Sequence, residues 1–415
     1  MGGRTRDERP LRDGWDRIRP LLAADVARRG RGVALLIVMV MVAVLAAFSA
    51  EFSYNTRVNL RMASNLERDV QAYYHARSAI EVARMVIRGQ AMLNQVLSLM
   101  AAGGGGAQNI ELWSYACKFA EIYNTGKVDL FGKEMFDLSG QAGIGVKNGS
   151  FTCTADAEDG RVNVNFGETV EAKKAMFAEL FGFLRGPRIE GHGLTDDDEE
   201  IIDTLLNIMD WVDPDEVRTD FNPLDGSFQE GGGSGEDFDY SKYDYGAKNA
   251  KFDSVEELRL VEGMDDEMFC KLRDKVTVYS TEKLNVNTAD MGLINAVLCQ
   301  SLPTDQQLTM CLPNAALGGI TPMDAVGAVV DQCREIKKML MMTPFNNTQK
   351  FQQVVNGVSA YLQAPIQVPA TALQHFGTKS RVIRISASGT VGHTTKTLTG
   401  VIDTGSGKYV YWRED

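Results

Sequence analysis

The sequence predicts an α+β fold in which a long N-terminal α-helix packs on a small antiparallel sheet, and a large, mainly helical insertion interrupts that sheet. Three observations support this prediction. An apolar run, Val33 to Ala50, leads into a stretch without proline or glycine that has helical periodicity as far as Arg88. Helical spacing dominates the middle of the chain. Segments with the period-two alternation of strands flank that middle, near Phe151 and from Val368 to Asp415.

The apolar run is too long for the core of a signal peptide. Signal peptides have an apolar core of about 7–15 residues, followed by a cleavage site flanked by small residues. Here 18 apolar residues, Val33 to Ala50, pass directly into Glu51 and Phe52. A transmembrane helix needs about 20 apolar residues, with a range of roughly 17–25. We therefore predict one membrane span. Three arginines between positions 28 and 31 predict that its N-terminal side stays in the cytoplasm and that the rest is exported.

The helix is predicted to continue well beyond the membrane. Apolar residues recur at steps of three and four, the spacing of one helix face. They are Tyr54, Val58, Met62, Leu66, Val70, Tyr73, Ala76, Ile80, Ala83 and Val86. The sequence thus predicts a rod over residues 33–100 that is apolar all round at first and amphipathic afterwards. A simple anchor does not need such a rod, whereas a subunit of a helical bundle or filament does.

Three further segments follow the rod. After the flexible Gly103–Gly106 run, residues 101–170 are expected to form the first part of a head, with strands at Phe151–Asp156 and Arg161–Asn165 packing on the rod. Residues 171–367 are expected to be a helical insertion, and residues 368–415 the final strands of the head. Helical spacing appears at Glu171–Leu184, Glu199–Val212, Val255–Leu272, Leu293–Leu302 and Ala325–Leu340. The remaining predicted segments are a Gly-rich loop at Gln229–Gly235 and strands at Ser380–Gly389, Thr395–Asp403 and Lys408–Arg413.

Charge and cysteine content restrict the function classes. The formal net charge is −12, and it becomes −16 without the first 32 residues, since these carry nine arginines and five acids. Such a surface does not favour nucleic acid, because phosphate contacts need Lys and Arg. Of the six cysteines, Cys299 and Cys311 are the first candidates for a disulfide, because they lie close together around a turn. For the other four cysteines, a buried thiol and a disulfide are equally compatible with the sequence.

An acidic stretch lies in the middle of the chain. Residues 196–257 contain 20 acids and four basic residues. Asp213 and Asp215 flank Pro214 just after a predicted helix, and carboxylates at that spacing in a turn can converge on one calcium ion. Glu236, Asp237 and Asp239, from the next loop, could complete the shell. The spacing is not that of an EF-hand. A solvated acidic surface is the alternative, and the residues alone leave both interpretations open.

The N-terminal region resembles that of type IV pilins and of the pseudopilins of type II secretion. In these families a prepilin peptidase cleaves after a glycine, on the cytoplasmic side, and leaves the apolar run as an N-methylated N-terminus. The matching junction here is Gly32–Val33. The fifth residue of the mature chain would be Ile37, where most pilins have Glu. Among pseudopilins, the absence of that Glu is typical of minor pseudopilin K.

Four stretches in the middle of the chain also resemble the minor pseudopilin K family, in the same order and spacing. They are Asp210-Trp-Val-Asp-Pro-Asp215, Gly235-Glu-Asp237 with Tyr240, Lys248 to Met264, and Leu284-Asn-Val-Asn-Thr-Ala-Asp290. The resemblance covers the leader, the rod and roughly Asp156 to Asp290. It implies a pilin-like fold, and it implies a calcium ion held by Asp213, Asp215, Glu236 and Asp237.

The resemblance also implies a function without catalysis. The protein would be a minor pseudopilin of the type II secretion system at the tip of the periplasmic pseudopilus. There it would initiate or cap the filament during export of folded proteins across the outer membrane. The implied partners are minor pseudopilins of the I and J types, the major pseudopilin, prepilin peptidase and the inner-membrane assembly platform. The implied location is the bacterial inner membrane, with a cytoplasmic N-terminus and a periplasmic head.

Two other functions were weighed. Phe252 to Met264 also resembles a helix-hairpin-helix, a unit that often binds DNA backbone, which would suit a minor pilin of a type IV pilus-like or DNA-uptake machine. We favour a packing role, because Glu262, Asp265, Asp266 and Glu267 crowd the turn where phosphate would dock. A basic stripe on the folded surface would favour DNA instead. An enzyme is the weaker alternative, since the four histidines form no recognisable catalytic motif.

Overall fold

The computed structural model describes residues 12–102, 111–130, 133–137, 148–165, 169–186, 196–222, 227–235, 240–279, 283–314, 318–340, 342–362 and 365–415. The chain divides into two compact units, Met1–Val70 and Gln71–Asp415. Helix α1 (Arg12–Ala102) is continuous, and its residues up to Val70 make up the described part of the first unit. This confirms the predicted long N-terminal helix, which begins earlier than expected.

An antiparallel sheet forms the base of the second unit. Its strands are β3 (Ser150–Ala157), β10 (Val382–Val391), β11 (Thr394–Asp403) and β12 (Lys408–Glu414). They lie in the order β12-β11-β10-β3, so a strand from before the helical insertion pairs with strands from after it. The predicted architecture of an interrupted sheet is confirmed.

The C-terminal third of α1 packs on this sheet through small residues. Ala72, Ala76, Ala79 and Ala83 are fully buried. Gly389 of β10 is the point of closest approach, because a Cβ atom at that position would lie 2.0 Å from the Ala72 carbonyl oxygen. Alanine on the helix and glycine on the strand therefore let the two backbones meet, where larger side chains would hold them apart.

The edge of the sheet at β3 is covered by helix α2 (Ala116–Thr125). The Asn124 side chain forms two hydrogen bonds with the backbone of Phe151. Its Oδ1 accepts the Phe151 N–H at 3.0 Å, and its Nδ2 donates to the Phe151 carbonyl. A disulfide joins Cys117 of α2 to Cys153 of β3. A short hairpin, β1 (Lys127–Leu130) and β2 (Lys133–Asp137), follows α2.

The helical insertion has its own large hydrophobic core. Its helices are α3 (Val170–Arg185), α4 (Asp196–Val212), α5 (Asp266–Leu272), α6 (Met291–Ser301), α7 (Thr304–Met310), α8 (Pro322–Met339) and α9 (Thr348–Tyr361). Short strand pairs also belong to it: β4 (Val162–Asn163) with β7 (Val276–Thr277), β5 (Val217–Asn222) with β6 (Ser227–Gly235), and β8 (Leu284–Asn285) with β9 (Phe376–Gly377).

Three predicted elements were wrong. The Arg161–Asn165 strand does not join the main sheet, because β4 pairs in parallel with β7 of the insertion. The Gly-rich segment Gln229–Gly235 is not a loop, because it pairs with β5 in β6. Val255–Leu272 is not one helix. It divides into a 3₁₀ helix, Val255–Leu260, and α5, because the chain turns at Gly263 with a φ of +83°, a conformation that favours glycine.

The cysteines of the insertion follow the expected pattern in part. Cys299 of α6 forms a disulfide with Cys311, just after α7, which is the pairing that the sequence analysis placed first. Cys270 is an exposed thiol and Cys333 a half-buried one.

Candidate functional site

The first candidate surface is the section of α1 from Val33 to Val70. It carries an 18-residue window with a mean hydropathy of 2.9, none of which is buried. This section is long and apolar enough to cross a membrane, by length and composition. Beyond the apolar run, large hydrophobic side chains remain exposed. They are Phe52, Tyr54, Leu60, Met62, Leu66 and Val70. A helix that exposes this much apolar surface needs a membrane or other helices to cover it.

The predicted processing junction lies inside α1. Gly32 and Val33 are consecutive helical residues, and the side chains of Val33 and Ile37 are exposed. Cleavage between Gly32 and Val33 stays a prediction.

The second candidate site is the acidic turn, which we define as Asp210 to Asp215 at the end of α4. Trp211 fixes this turn, because its ring centroid lies 5.7 Å from that of Tyr240 and 6.1 Å from that of Phe252. Tyr240 and Phe252 belong to two of the other stretches that carried the family resemblance. The structure therefore brings three of those four stretches together around one indole ring.

Asp210 is the buried carboxylate of this turn. It is 2% exposed, and its Oδ1 accepts the Thr219 N–H at 3.1 Å. Burial, together with the Asp213 charge, raises the pKa of Asp210 to about 7 against the opposing effects of the Thr219 hydrogen bonds and the Arg218 charge. Below neutral pH the folded state therefore favours the protonated form of this side chain.

Asp213 and Asp215 face different surroundings. Asp213 is buried, and its Oδ2 accepts a hydrogen bond from Lys173 Nζ of α3 at 2.8 Å. Asp215 is exposed. Its Oδ1 accepts the Val217 N–H at 2.8 Å, and its carbonyl oxygen accepts from Asn249 Nδ2 at 2.7 Å. The other two predicted ligands, Glu236 and Asp237, lie outside the described residues.

The described part of the acidic turn supplies only part of a calcium shell. Within the ranges that the structure describes, no three Asp, Glu, His or Cys side chains form a group that could hold a metal ion. One further oxygen fits such a role, because Asn249 Oδ1 is buried and has no hydrogen-bond partner. An amide oxygen is a ligand that calcium accepts. Asn249, which adopts a φ of +51°, was missed as a candidate ligand, although it lies in the quoted Lys248 to Met264 stretch.

The hairpin-like unit, which we define as residues 252–273 and which contains the 3₁₀ helix, the turn at Gly263 and α5, is packed into the insertion. A Cβ atom on Gly263, at its turn, would lie 2.5 Å from Thr204 Oγ1 of α4. The preceding amide, Glu262 N–H, donates to the Tyr240 hydroxyl at 3.3 Å, and the Glu262 carbonyl accepts from Asn207 Nδ2 at 3.1 Å. These groups already have protein partners, which favours the packing role over phosphate binding.

Comparison with known protein families supports the resemblance seen in the sequence. Residues 164–281 match the family model described as "Type II secretion system (T2SS), protein K". These residues are similar to a domain of the type II secretion protein K family. The protein K match includes the acidic turn and the hairpin-like unit, so both belong to the matched domain.

Two further comparisons were made. A search of curated proteins found no match. Among solved structures, the chain is similar to a chain of "The Crystal Structure of the GspK-GspI-GspJ complex from enterotoxigenic Escherichia coli Type 2 Secretion System". The two chains share 13% sequence identity with a TM-score of 0.48, and the alignment covers 86% of this chain and 99% of that chain.

The fourth quoted stretch has a structural role beside the protein K domain. Asn287 is buried, and its Nδ2 donates to the carbonyls of Phe345 and Thr378 at 3.0 and 2.9 Å. Its Oδ1 accepts the Phe345 N–H at 2.8 Å. One side chain thus ties three distant segments of the insertion together.

Sequence reasoning missed the junction between the sheet and the insertion. Glu158 and Asp159, directly after β3, are both fully buried. Asp159 Oδ2 accepts the N–H groups of Arg381 and Val382 at 2.7 and 2.9 Å, at the start of β10. Glu158 binds Arg384 of β10. The Asp159-Gly160 pair after an alternating strand indicated a turn in the sequence. Only the folded structure shows that this turn is bound to the start of β10.

Proposed function

We propose that the protein is a minor pseudopilin of the type II secretion system that lies at the tip of the periplasmic pseudopilus and initiates or caps it. The observation that carries this proposal is the combination of a protein K domain with a helix that exposes apolar surface from Val33 to Val70. The role needs no catalysis by this chain, and none is proposed.

The two sections of α1 have separate tasks in this proposal. After prepilin peptidase has removed residues 1–32, the run Val33 to Ala50 would hold the protein in the inner membrane, with the head on the periplasmic side. Residues 51–70 would pack on the helices of sister subunits, namely minor pseudopilins of the I and J types and the major pseudopilin. Helix packing of this kind buries apolar stripes at three- and four-residue spacing, and Met62, Leu66 and Val70 are exposed at steps of four residues. Assembly would take place at the inner-membrane platform.

Ile37 supports the tip position. A buried carboxylate at this position of the mature chain needs a positively charged partner, and in a pilin filament a neighbouring subunit's N-terminus supplies it. A buried charge without such a partner is unfavourable by several kcal/mol, of the order of 5. A subunit at the tip has no neighbour above it to supply that partner. The apolar side chain of Ile37 avoids a buried, unpaired charge at this position. The size of the insertion between β3 and β10 also suits a cap, because a regular filament has little room for it.

The tip position can be tested by labelling one cysteine. Cys270 is an exposed thiol, so a Cys333→Ser variant can be labelled at Cys270 with maleimide-gold on sheared pseudopili from cells that overproduce the major pseudopilin. We expect gold at one end of each filament. Gold along the filament would contradict the tip position. A variant with Cys270→Ser in addition is the control for nonspecific labelling.

We also propose a calcium ion at the acidic turn, with Asp213, Asp215 and Asn249 as its ligands among the described residues, and with Glu236 and Asp237 as the remaining predicted ones. The support is the buried, unpartnered Asn249 Oδ1 beside Asp215 and the surplus of carboxylates over cations in the turn. When bound, calcium would fix the loops around α4. Lys173 would continue to hold Asp213 from the α3 side.

A further inference from the structure

A cleft of about 460 Å³ lies between the sheet and the hairpin-like unit. Positively charged side chains dominate its walls, although the protein as a whole is acidic. The five arginines that line it are Arg161, Arg259, Arg273, Arg384 and Arg413. The acids that line it are Glu256 and Asp274. We call this site, defined by its five arginines, the arginine cleft.

The arginines come from both sides of the cleft. Arg384 lies on β10 and Arg413 on β12, whereas Arg259 belongs to the 3₁₀ helix and Arg273 follows α5. Arg161 lies between β3 and β4. Aromatic rings complete the walls: Tyr279 lies 5.5 Å from Tyr411, and the Arg259 guanidinium lies 4.3 Å from the centre of the Phe269 ring.

The inner arginines share a single buried acid. Arg161 lies 3.0 Å from Glu158, and Arg384 also binds Glu158, which is fully buried. Burial opposes ionisation of Glu158, but the hydrogen bond and charge of Arg384, together with the charge of Arg161, hold the pKa of that carboxyl below its usual value. One carboxylate for two guanidinium groups leaves one positive charge at the base of the cleft.

The outer arginines are only loosely paired. The Arg259 and Arg273 side chains are more than half exposed, and they lie 3.4 and 3.6 Å from Asp266 and Asp274, which are exposed as well. Ion pairs of this kind contribute little to stability, because water screens them. Their guanidinium groups can therefore turn to a ligand at little cost. Arg413 is held more firmly, since it lies 2.9 Å from Asp415.

We propose that the arginine cleft binds the side-chain carboxylates of an acidic polypeptide segment from a partner protein. Planar guanidinium groups match carboxylates with paired hydrogen bonds. A cleft of this volume admits a few side chains of such a segment. This inference does not depend on the proposed position in a filament.

The surroundings of the cleft disfavour duplex nucleic acid. The basic side chains face a concave site and do not form a stripe. The exposed acids Asp253, Asp266 and Glu267 lie on the same hairpin-like unit. A duplex would bring a row of phosphates against these acids, and such a contact is unfavourable. An extended acidic peptide, in contrast, can place its carboxylates inside the cleft without contacting these exposed acids.

The test is binding of a fluorescein-labelled hexaglutamate peptide to the full chain in detergent, measured by fluorescence anisotropy. We expect saturable binding that weakens with added salt. Arg273→Ala should weaken it about tenfold, because the substitution removes a charge-assisted hydrogen bond to a peptide carboxylate. Arg259→Ala, on the opposite part of the hairpin-like unit, should have a similar effect. Arg381→Ala is the matched control, since this arginine is exposed, pairs with Asp403 and lies outside the cleft.

Three outcomes would overturn the proposal. They are the absence of saturable binding, equal weakening by Arg381→Ala, and preference for a short DNA duplex over the peptide at the same salt concentration. The exposed positions of Arg259 and Arg273 make both variants compatible with folding, and an unchanged melting temperature would verify this for each.

Discussion

The interface between α1 and the sheet is buried, and so is the part of the acidic turn from Asp210 to Asp213, but the two regions differ in chemistry. The first consists of alanines that meet a strand backbone at Gly389. The second contains two buried carboxylates, Asp210 and Asp213, and Lys173 binds Asp213. Apolar packing responds to volume and hardly to pH or ions. Buried carboxylates respond to both, because their charge depends on protons and nearby cations.

The largest effect is expected where volume is added to the first region. Gly389→Val should lower the free energy of unfolding by about 3 kcal/mol or more, because its Cβ would lie 2.0 Å from the Ala72 carbonyl. Denaturant unfolding in detergent, followed by fluorescence of Trp113 and Trp412 in this core, would measure the loss. Gly357→Val is the matched control, since no atom lies within 4 Å of a Cβ there. An equal loss in both variants would refute close packing as the cause.

Calcium should give the next largest effect, and only in the second region. If the acidic turn binds calcium, excess calcium should raise the free energy of unfolding by about 2.7 kcal/mol at a hundred times the dissociation constant. Asp215→Asn should remove most of this gain, whereas Gly389→Val should leave it unchanged. Melting curves with calcium and with chelator would measure it. A melting temperature that does not depend on calcium would exclude the site.

A smaller effect is expected from Asp210 when the pH changes in the presence of chelator. The pKa of Asp210 in the folded protein is about 7, above the ordinary value of 3.8, so the folded state holds the proton more tightly than the unfolded state. This contribution to stability is present below pH 4 and is lost as the pH rises through 7. Asp210→Asn should therefore stabilise the protein at pH 8 by about 2 kcal/mol, and its advantage should vanish near pH 4. An advantage that does not change with pH would contradict the assignment.

The smallest effect is expected on the exposed section of α1. Leu66→Ser should change the free energy of unfolding by less than about 0.5 kcal/mol, because Leu66 is 65% exposed. The same substitution should reduce co-purification with sister pseudopilins, if residues 51–70 form the assembly surface. Normal co-purification would remove this section from the proposed contact. The contrast with Gly389→Val would separate folding from assembly.

Local patterns were enough to predict much of the fold. The helical period from Val33 to Arg88 and the alternation of the C-terminal strands predicted α1, β10, β11 and β12, since each pattern repeats over many residues. The Gly-rich strand β6 was missed, because glycine carries no strand preference and the pairing with β5 decides its conformation.

Long-range contacts explain what the sequence could not reveal of the sites. Arg161 and Arg413 are far apart in the chain, and only the folded sheet and hairpin-like unit bring them to one cleft. Asn249 could not be distinguished from other loop asparagines until its amide oxygen was seen to be buried beside Asp215. By contrast, the spacing of Asp213 and Asp215 was enough to propose both as calcium ligands, and this stays a prediction.

The measurement that tests the central claim most directly is the intact mass and N-terminal sequence of the protein from membranes of cells with and without prepilin peptidase. The account predicts a chain that starts at N-methylated Val33 when the peptidase is present and retains its leader when it is absent. A chain that starts at Met1 in both cells would indicate an ordinary membrane anchor. A cut beyond Ala50 would indicate a signal peptide, and either result would contradict assignment to the pseudopilins.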